Sequence, residues 1–313
     1  MNNLNDLHSI SGSFSTTDKM PVLFLGHGSP MNAIEENQFV TGFRNLAKTL
    51  PQPNAILCIS AHWYTKGTKV TAMEMPKTIH DFGGFPPELF AVQYPAKGSP
   101  ELALVTKELV QPIEVELDDT WGLDHGAWSV IKHLYPAANV PVIQLSIDYT
   151  KPPEYHFELA KQLSDLRYKG ILIVGSGNIV HNLRLVDFQN FEKDNYGYDW
   201  AIEARETVNN YLLDGNFQPL IDYETQSRAL QLAIPTPEHY LPLLYTLGLK
   251  TEDEKVQFFN DNNIIAAFAI LLKYYDRWYE KNTLSASPPK LLVQQFNAEK
   301  VDPMNNAILV EKR

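Results

Sequence analysis

Three histidines of the sequence each follow a short apolar run. His27 comes after PVLFL and stands between two glycines, His62 follows AILCIS, and His181 lies a few residues beyond ILIV. Neutral imidazole is a common metal ligand, and the chain has a single cysteine, so it offers no thiolate cluster. If the three imidazoles converge, they indicate a histidine-rich metal site.

Two further histidines lie next to carboxylates. His125 follows Asp124 in TWGLDHGAWSV, at the apparent start of a helix. His239 follows Glu238 in IPTPEHYLPLLY. There Thr236 is a candidate N-cap and the next proline suits the first helical position, which predicts that His239 lies in the first helical turn.

Each of these residues also has an ordinary structural interpretation. For a single histidine, a surface or packing role is the default, and we assign it to His8, His80, His133 and His156. For His27, the ordinary interpretation is that the flanking glycines allow a tight turn and have no functional role. The GSG string before His181 can form a phosphate-binding turn, but it lacks the lysine of a P-loop and the full dinucleotide fingerprint.

The elements that must position these residues follow from hydrophobic patterning. Continuous apolar runs of four to eight residues are typical of strands covered on both faces, and apolar residues at helical spacing mark amphipathic helices. The sequence therefore predicts an α/β fold with a mostly parallel or mixed central sheet and helices on both faces. The predicted strands are 22–25, 55–60, 140–147 and 171–174, and the predicted helices are 100–110 and 154–168.

The predicted topology explains why the histidines would meet. In a sheet of this class, the carboxyl ends of parallel strands form the ligand crevice. Since His27, His62 and His181 all follow strands, we expect them at the same edge of the molecule.

Composition restricts the class of protein. The chain has 313 residues, a formal net charge of −11 and a pI near 5.3, which argues against nucleic acid or an anionic membrane as partner. The lone Cys58 lies in an apolar run, where it is expected to be a buried hydrophobe. We find neither a signal peptide nor an apolar run long enough to span a bilayer, so we expect a cytoplasmic protein.

We expect one catalytic domain with two flanking segments. Residues 1–20, rich in Asn, Ser and Asp, are predicted to be a disordered leader, residues 21–280 a single catalytic α/β domain, and residues 281–313 a carboxyl-terminal tail. The segment 78–87 (TIHDFGGFPP) is a loop rich in glycine, proline and aromatic residues, which is typical of loops that line sites.

Seven motifs resemble one known family in the same order along the chain. They are GHGSPMNAIE, SAHWYT, TIHDFGGFPPELF, WGLDHGAWSVI, QLSID, GSGNIVHNLR and PTPEHYLPLLY, between about residues 20 and 260. The family is that of the bacterial 4,5-DOPA extradiol dioxygenases. It belongs to the class III extradiol ring-cleavage enzymes, together with the catalytic subunit of protocatechuate 4,5-dioxygenase and the plant betalain-forming enzyme.

The resemblance implies a role for each matched residue. His27, His62 and His239 correspond to metal ligands. His181 corresponds to the active-site base, close enough to the metal to be a further ligand in a substrate-free site. His125 corresponds to a catalytic histidine that contacts substrate or oxygen, and residues 81–87 are expected to flank an aromatic substrate.

The implied activity is an O2-dependent, extradiol opening of a catechol such as DOPA at a non-haem metal site. Fe(II) is the cofactor expected for this activity, and Zn(II) is the metal expected in isolated protein, because a mainly imidazole site suits both. Two alternatives remain: a zinc-dependent hydrolase that uses the same site, and a non-catalytic relative that serves as a binding module.

The chain departs from the family pattern in two places. Many extradiol enzymes use two histidines and one carboxylate, whereas this chain has His239 with Glu238 alongside. After VQFFN, where the family closes with a short strand, the chain reads NNIIAAFAILLKYYDRWYEKNT, and this pattern predicts a helix.

Overall fold

A computed structural model of the protein describes residues 14–185, 197–260, 269–274, 301–302 and 307–308. Its strands are β1 (Val22–Gly26), β2 (Ala55–Thr65), β3 (Thr68–Thr71), β4 (Val115–Asp118), β5 (Val142–Asp148), β6 (Ile171–Gly177), β7 (Glu254–Phe259), β8 (Ala269–Tyr274), β9 (Val301–Asp302) and β10 (Ala307–Ile308). Its α-helices are α1 (Gln38–Ala47), α2 (Pro87–Phe90), α3 (Pro100–Leu109), α4 (His125–Leu134), α5 (Pro153–Gln162), α6 (Asp199–Leu213), α7 (Gln218–Ile221), α8 (Arg228–Ala233) and α9 (Leu241–Gly248).

Eight of the described strands form one mixed sheet in the order β4-β3-β5-β2-β6-β1-β8-β7. The central neighbours β5, β2, β6 and β1 are all parallel, and β3 pairs with β4 in parallel. Strand β8 is antiparallel to both β1 and β7, and β9 and β10 form a separate antiparallel pair. The predicted α/β fold with a mostly parallel or mixed sheet is confirmed.

Both faces of the sheet are covered, which explains the continuous apolar runs. Successive side chains of a strand point to opposite faces. Val22 and Phe24 of β1 pack in one buried cluster with residues of α5 and α9. Leu23 and Leu25 pack in a second cluster with residues of α1 and α4. A strand with this environment has no solvent-facing side and therefore needs apolar residues at every position.

Of the two predicted helices, one forms as expected and the other divides into two shorter helices. Helix α3 begins where expected, because the Ser99 hydroxyl accepts a hydrogen bond from the Leu102 amide at 3.2 Å. The periodic segment 154–168 divides into α5 and a 3-10 helix at Ser164–Lys169. Gly170, with φ of +73°, ends that segment, because a left-handed residue cannot continue the helix and glycine adopts this conformation without strain.

The segment after Asn260 corrects the expectation of a helix. Residues 269–274 form strand β8, and the remainder of that string lies outside the described residues. Strand β1 pairs with β6 on one side, so its other edge needs partners for its amide and carbonyl groups. Strand β8 supplies them, and this long-range requirement outweighs the local helical pattern.

Two residues of the predicted leader, Thr17 and Met20, make backbone hydrogen bonds to the rest of the protein. The Thr17 amide donates to the Tyr168 carbonyl at 2.8 Å, and the Met20 amide donates to the Arg167 carbonyl at 2.9 Å. These residues therefore contact the body of the protein. Residues 1–13 and nearly all of the predicted tail lie outside the described residues, so the three-part division of the chain remains a prediction.

The composition-based expectation for Cys58 is confirmed. It is a free, fully buried thiol in β2, within the core between the sheet and α4. Among the described residues, no helix combines the length and apolar character that crossing a bilayer requires.

Candidate metal centre

His27 lies at the carboxyl end of β1, buried at 1% exposure. Gly28 turns the chain with φ of +58°, and its amide donates to Asn178 Oδ1 at 3.1 Å. Gly26 instead continues the strand, paired with Gly177 of β6. Only the second of the two flanking glycines therefore uses the left-handed conformation that the sequence suggested for the turn.

A serine fixes the orientation and the tautomer of the His27 ring. Ser176 Oγ donates to the Gly126 carbonyl at 2.5 Å and lies 3.0 Å from His27 Nδ1. Because the hydroxyl proton is used on the carbonyl, the oxygen must accept a proton from Nδ1. Neutral His27 therefore has its free lone pair on Nε2, which faces the other histidines.

An irregularity in β2 presents His62 to the same space. The pairing of β2 with β5 passes from Ile59↔Leu145 to Tyr64↔Ile147, so extra residues of β2 lie between the two registers. His62 lies in this segment, and its Nε2 is 3.3 Å from Nε2 of His27. The predicted convergence of these two residues is thus present in the structure.

A buried polar network supports the irregular part of β2. Ser60 Oγ donates to Asp124 Oδ1 at 2.6 Å and accepts the His62 amide at 3.2 Å. The Asp124 carboxylate also caps α4 through the Ala127 amide and accepts from the Gln144 side chain at 2.7 Å. This network connects the backbone of His62 to the start of α4.

Gly126 permits α4 to approach β2, and this contact gives a testable prediction. A Cβ at this position would lie 2.4 Å from Ser60 Oγ and 2.9 Å from His62 Cδ2. Within a helix, Gly→Ala ordinarily stabilises by about 1 kcal/mol. We expect Gly126→Ala to displace His62 instead and to weaken zinc binding by about 10- to 100-fold, as loss of support for a ligand does.

Competition with a chromophoric chelator measures the zinc affinity of Gly126→Ala, and thermal unfolding shows whether the fold is retained. A folded variant with the zinc affinity of the original chain would contradict this role for Gly126.

His125 is the first residue of α4, next to the rings of His62 and Phe82. Its ring centroid is 3.8 Å from that of His62 and 5.4 Å from that of Phe82. Asp81 lies behind it: Oδ1 accepts the His125 amide at 2.9 Å and is 3.0 Å from His125 Nδ1. The other oxygen, Oδ2, is 3.4 Å from His62 Nδ1.

His239 enters the cluster from a turn ahead of α9, which corrects the predicted position. The helix begins at Leu241, and Thr236 Oγ1 donates to Glu238 Oε1 at 2.7 Å instead of capping a helix. The ring centroid of His239 lies 5.3 Å from His27 and 5.0 Å from His62. Its Nδ1 is 3.3 Å from Glu238 Oε1, so the carboxylate supports the imidazole from behind.

His181 stacks on His239. The ring centroids are 3.4 Å apart with an interplanar angle of 12°. The His181 amide donates to the Ala233 carbonyl at 2.8 Å, which fixes the loop after β6 against the end of α8. The rings of the four predicted ligands and His125 are therefore neighbours. Their donor atoms form two groups, His27 with His62 and His125, and His181 with Glu238 and His239, and their individual roles remain predictions.

Burial favours the neutral form of the four predicted ligands. It lowers the pKa of His27 well below the ordinary value, and the neighbouring His62 adds to this effect. Burial likewise lowers the pKa of His62 to about 4, of His239 to about 3, and, in direction, of His181. Although burial would raise the pKa of Glu238, hydrogen bonds from His239 and Thr236 lower it to about 2.

The donor atoms fit a bound metal ion. Two nitrogens that each lie about 2.0–2.1 Å from one tetrahedral ion are about 3.3 Å apart. His27 Nε2 and His62 Nε2 have this separation of 3.3 Å. His27 Nδ1 faces Ser176, and His62 Nδ1 faces Asp81. His239 Nδ1 faces Glu238. In metal sites, the ring nitrogen of a ligating histidine that does not bind the metal usually faces such an oxygen.

The GSG string has a packing role. It lies within β6, where a Cβ on Gly175 would be 2.5 Å from the Pro242 carbonyl oxygen. A Cβ on Gly177 would be 2.1 Å from the His239 carbonyl oxygen. The glycines allow the turn that carries His239 to approach the sheet, so the geometry does not support the phosphate-turn alternative.

The loop of residues 78–87 brings aromatic rings to the cluster. Phe82 packs at centroid distances of 5.4 Å against Phe85 and 5.1 Å against Phe90. It also meets His125 edge-on at 5.4 Å. The predicted position of this loop beside the site is thus observed.

The remaining described histidines have partners elsewhere. His80 Nε2 is 2.9 Å from the Val92 carbonyl oxygen, and His133 Nε2 is 2.8 Å from the Asn32 carbonyl oxygen. His156 Nδ1 is 3.0 Å from the Tyr245 hydroxyl. These contacts suit the packing role assigned from sequence, and His8 lies outside the described residues.

Sequence reasoning missed the residues that support the imidazoles. They are Ser60, Asp81, Asp124 and Ser176. Each lies in a motif already selected for its histidine or aromatic residues, so proximity in sequence was the available signal. Neither spacing nor residue type indicated which histidine each would contact.

Comparison with known proteins agrees with this geometry. Residues 21–267 match the family described as the catalytic LigB subunit of aromatic ring-opening dioxygenase. The chain is 51% identical over 237 residues to the 4,5-DOPA dioxygenase extradiol of Escherichia coli K12, which covers 74% of this chain and 86% of that protein. It is 34% identical over 246 residues to the protein of the same name from Beta vulgaris, with 76% and 90% covered.

A solved structure shows the same fold. The crystal structure of an uncharacterized protein from Escherichia coli K12 matches with a TM-score of 0.69 and 42% identity, covering 82% of this chain and 100% of that one. The predicted class of extradiol, ring-opening dioxygenases is confirmed by these findings, and the structure contains a histidine-rich candidate metal site. The chain therefore belongs to the LigB family of aromatic ring-opening dioxygenases.

Proposed function

We propose that this protein opens the ring of a catechol such as DOPA by extradiol cleavage with O2. The observation that carries the proposal is the cluster of neutral imidazoles beside the aromatic loop around Phe82, in a chain of the LigB family. The relatives from Escherichia coli and Beta vulgaris are both named 4,5-DOPA dioxygenase extradiol, which supports DOPA as the first substrate to test.

His27, His62 and His239 would hold the metal, with His181 as a further ligand in the absence of substrate. Fe(II) is the proposed working metal, and Zn(II) is the metal expected in isolated protein. When bound, Fe(II) supplies an accessible second oxidation state for the reaction with O2, which Zn(II) does not have.

His181 is the proposed general base. Its ring is partly exposed beside His239, and burial lowers its pKa, so it is neutral near pH 7 and has a free lone pair. It would take the proton of a catechol hydroxyl onto a ring nitrogen, leaving the catecholate oxygen negatively charged.

His125 is the second proposed catalytic residue. It lies between the ring of His62 and that of Phe82, where a substrate that reaches both the metal ligands and the aromatic loop would contact it. An imidazole there would stabilise negative charge on oxygen during ring opening. Phe82 would contact the aromatic ring of the substrate edge-on or offset, as aromatic pairs prefer.

The overall reaction balances with one catechol and one O2. The carbon–carbon bond next to one hydroxyl-bearing carbon breaks, and both oxygen atoms enter the product as a carboxylic acid and an aldehyde. With DOPA, the amine of the product would condense with the carbonyl carbon that carried the other hydroxyl, next to the new carboxylate, and release water. The aldehyde is retained, which gives a yellow betalamic-acid-like pigment.

Metal reconstitution tests the proposal. Protein stripped of metal and loaded anaerobically with Fe(II) is mixed with oxygen and L-DOPA, while absorbance and O2 uptake are recorded. We expect a yellow product formed with one O2 per molecule, and no such product with Zn(II). Ester or amide hydrolysis by the zinc form alone would favour the hydrolase alternative, and inertness with both metals would favour a binding module.

Localisation in the cytoplasm is also part of the proposal. The one thiol of the chain is buried at Cys58, which suits a reducing compartment. Fractionation of cells that produce the protein with its natural ends tests this placement, and recovery outside the cytoplasm would contradict it.

A further inference from the structure

Asp81 contacts two histidines with its two carboxylate oxygens. Oδ1 lies 3.0 Å from His125 Nδ1, and Oδ2 lies 3.4 Å from His62 Nδ1. The Asp81 side chain is only 18% exposed, and those of His62 and His125 are 20% and 7% exposed. One carboxylate therefore lies beside the Nδ1 atoms of both rings.

The backbone fixes the position of this carboxylate. Asp81 Oδ1 accepts the His125 amide at 2.9 Å, at the first residue of α4. An anion at the amino end of a ten-residue helix is stabilised by the free amides and the helix dipole. Asp81 is thus placed by α4, and it does not depend on the histidine side chains for its position.

The two Nδ1 atoms lie at ion-pair distance from the carboxylate, and His125 Nδ1 is not in hydrogen-bond geometry, so Asp81 acts on the rings through its negative charge. A carboxylate carries no proton to donate, and its charge favours the proton of each ring on the nitrogen that faces it. A neutral imidazole carries one proton. With that proton on Nδ1 toward Asp81, His62 and His125 both have a free lone pair on Nε2. The Nε2 of His62 is the atom that lies 3.3 Å from Nε2 of His27.

We infer that Asp81 is a positioning residue that holds one ligand histidine, His62, and one catalytic histidine, His125, as Nδ1–H tautomers. The inference rests on the proposed function for the roles of those two histidines. Metal retention through His62 and the proton position on His125 would then both depend on one carboxylate that is not among the proposed metal ligands.

Asn and Glu at position 81 separate this role from a purely structural one. In Asp81→Asn, one oxygen can still accept the His125 amide and so stabilise the start of α4. The amide nitrogen then faces His62, and because it donates, it requires the proton of that ring on Nε2. Asp81→Glu keeps both acceptor oxygens, but its extra methylene fits the amino end of α4 less well.

Zinc affinity and histidine tautomers are the two measurements. Affinity is obtained for the full chain by competition with a chromophoric chelator, and tautomers from NMR of the metal-free protein with ¹⁵N-labelled histidine. We expect Asp81→Asn to weaken zinc binding by about 10- to 100-fold and to change the His62 tautomer. Asp81→Glu should retain more affinity than Asp81→Asn.

Asp118→Asn is the matched control. Asp118 accepts the Thr120 and Trp121 amides at 2.9 and 2.8 Å, so it also orders a loop through backbone amides. Since it faces none of the five clustered histidines, its substitution should leave zinc affinity and the histidine tautomers unchanged.

The outcomes distinguish this inference from the proposed function. Unchanged zinc affinity and tautomers in Asp81→Asn, or a larger loss in Asp81→Glu, would overturn the inference even if the protein opens catechols. Failure of the iron form to open catechols would overturn the function, while the zinc and tautomer results still decide the role of Asp81. Absence of zinc binding by the unaltered chain would overturn both.

Discussion

Replacement of His27 by alanine is expected to remove both metal retention and ring opening. His27 is 1% exposed and its Nε2 lies 3.3 Å from that of His62, so alanine removes one of the two nitrogens that have the spacing of metal ligands. Its pKa lies well below the ordinary value because of burial, and a neutral ring is therefore ready to bind metal near pH 7. The loss of zinc affinity should exceed the roughly 10- to 100-fold effect of removing an outer partner.

The measurements for His27→Ala are the metal content of protein grown without added zinc, zinc affinity by chelator competition, and O2 uptake with Fe(II) and DOPA. His80→Gln is the control, since a glutamine amide can still donate to the Val92 carbonyl oxygen that lies 2.9 Å from His80 Nε2. We expect this control to keep metal and activity. Unchanged metal binding in His27→Ala would show that the metal centre is wrongly assigned.

The central strands and their histidines were predictable because their signals are local. A strand covered on both faces, such as β1, needs apolar residues at every position, and this gives a continuous run in the sequence. Parallel neighbours then bring their carboxyl ends to one edge, so the topology alone predicts that His27 and His62 meet. The 3.3 Å contact between them follows from side-chain packing, which the pattern does not encode.

The support of the site was not predictable in the same way. Asp81 lies in a loop rich in glycine, proline and aromatic residues, 44 residues before the residue whose amide it accepts, and nothing in its spacing indicates His62 or His125. Strand β8 shows a related limit, because its short apolar run fits a helix as well as a strand. The free edge of β1 decided between them, and that edge exists only after the sheet has formed.

A buried ion pair connects the carboxyl-terminal strands to this framework. Arg167 and Glu254 pair through both guanidinium nitrogens, and both side chains are fully buried. Arg167 also donates to the Met20 carbonyl at 2.8 Å and to the Leu249 carbonyl at 2.7 Å. Glu254 begins β7, which holds β8 against β1, so the pair secures the edge next to the strand that carries His27.

We expect Arg167→Met to lower the free energy of unfolding at pH 7 by about 3–5 kcal/mol, since it leaves a buried carboxylate without its main partner. Urea denaturation measures this loss. Arg44→Met is the control, because Arg44 and Glu36 form an exposed pair whose removal should change stability little. The double variant Arg167→Met/Glu254→Gln should recover part of the loss, since it removes the unpaired charge.

The pH dependence of this variant has a definite sign. In the original chain, burial alone would raise the pKa of Glu254, but Arg167 outweighs burial and lowers this pKa. The ion pair therefore stabilises the folded state at pH values above the ordinary pKa of glutamate, and this stabilisation is lost as the pH falls through the lowered pKa. Without Arg167, only Lys19 at 3.4 Å and the amide and hydroxyl of Thr251 still oppose the effect of burial. The pKa of Glu254 in the folded variant is therefore higher than in the original folded chain, and the variant takes up its proton at a higher pH. The deficit of Arg167→Met should therefore narrow between pH 7 and pH 5, whereas a deficit that widens over this interval would show that Glu254 does not depend on Arg167 for its charge.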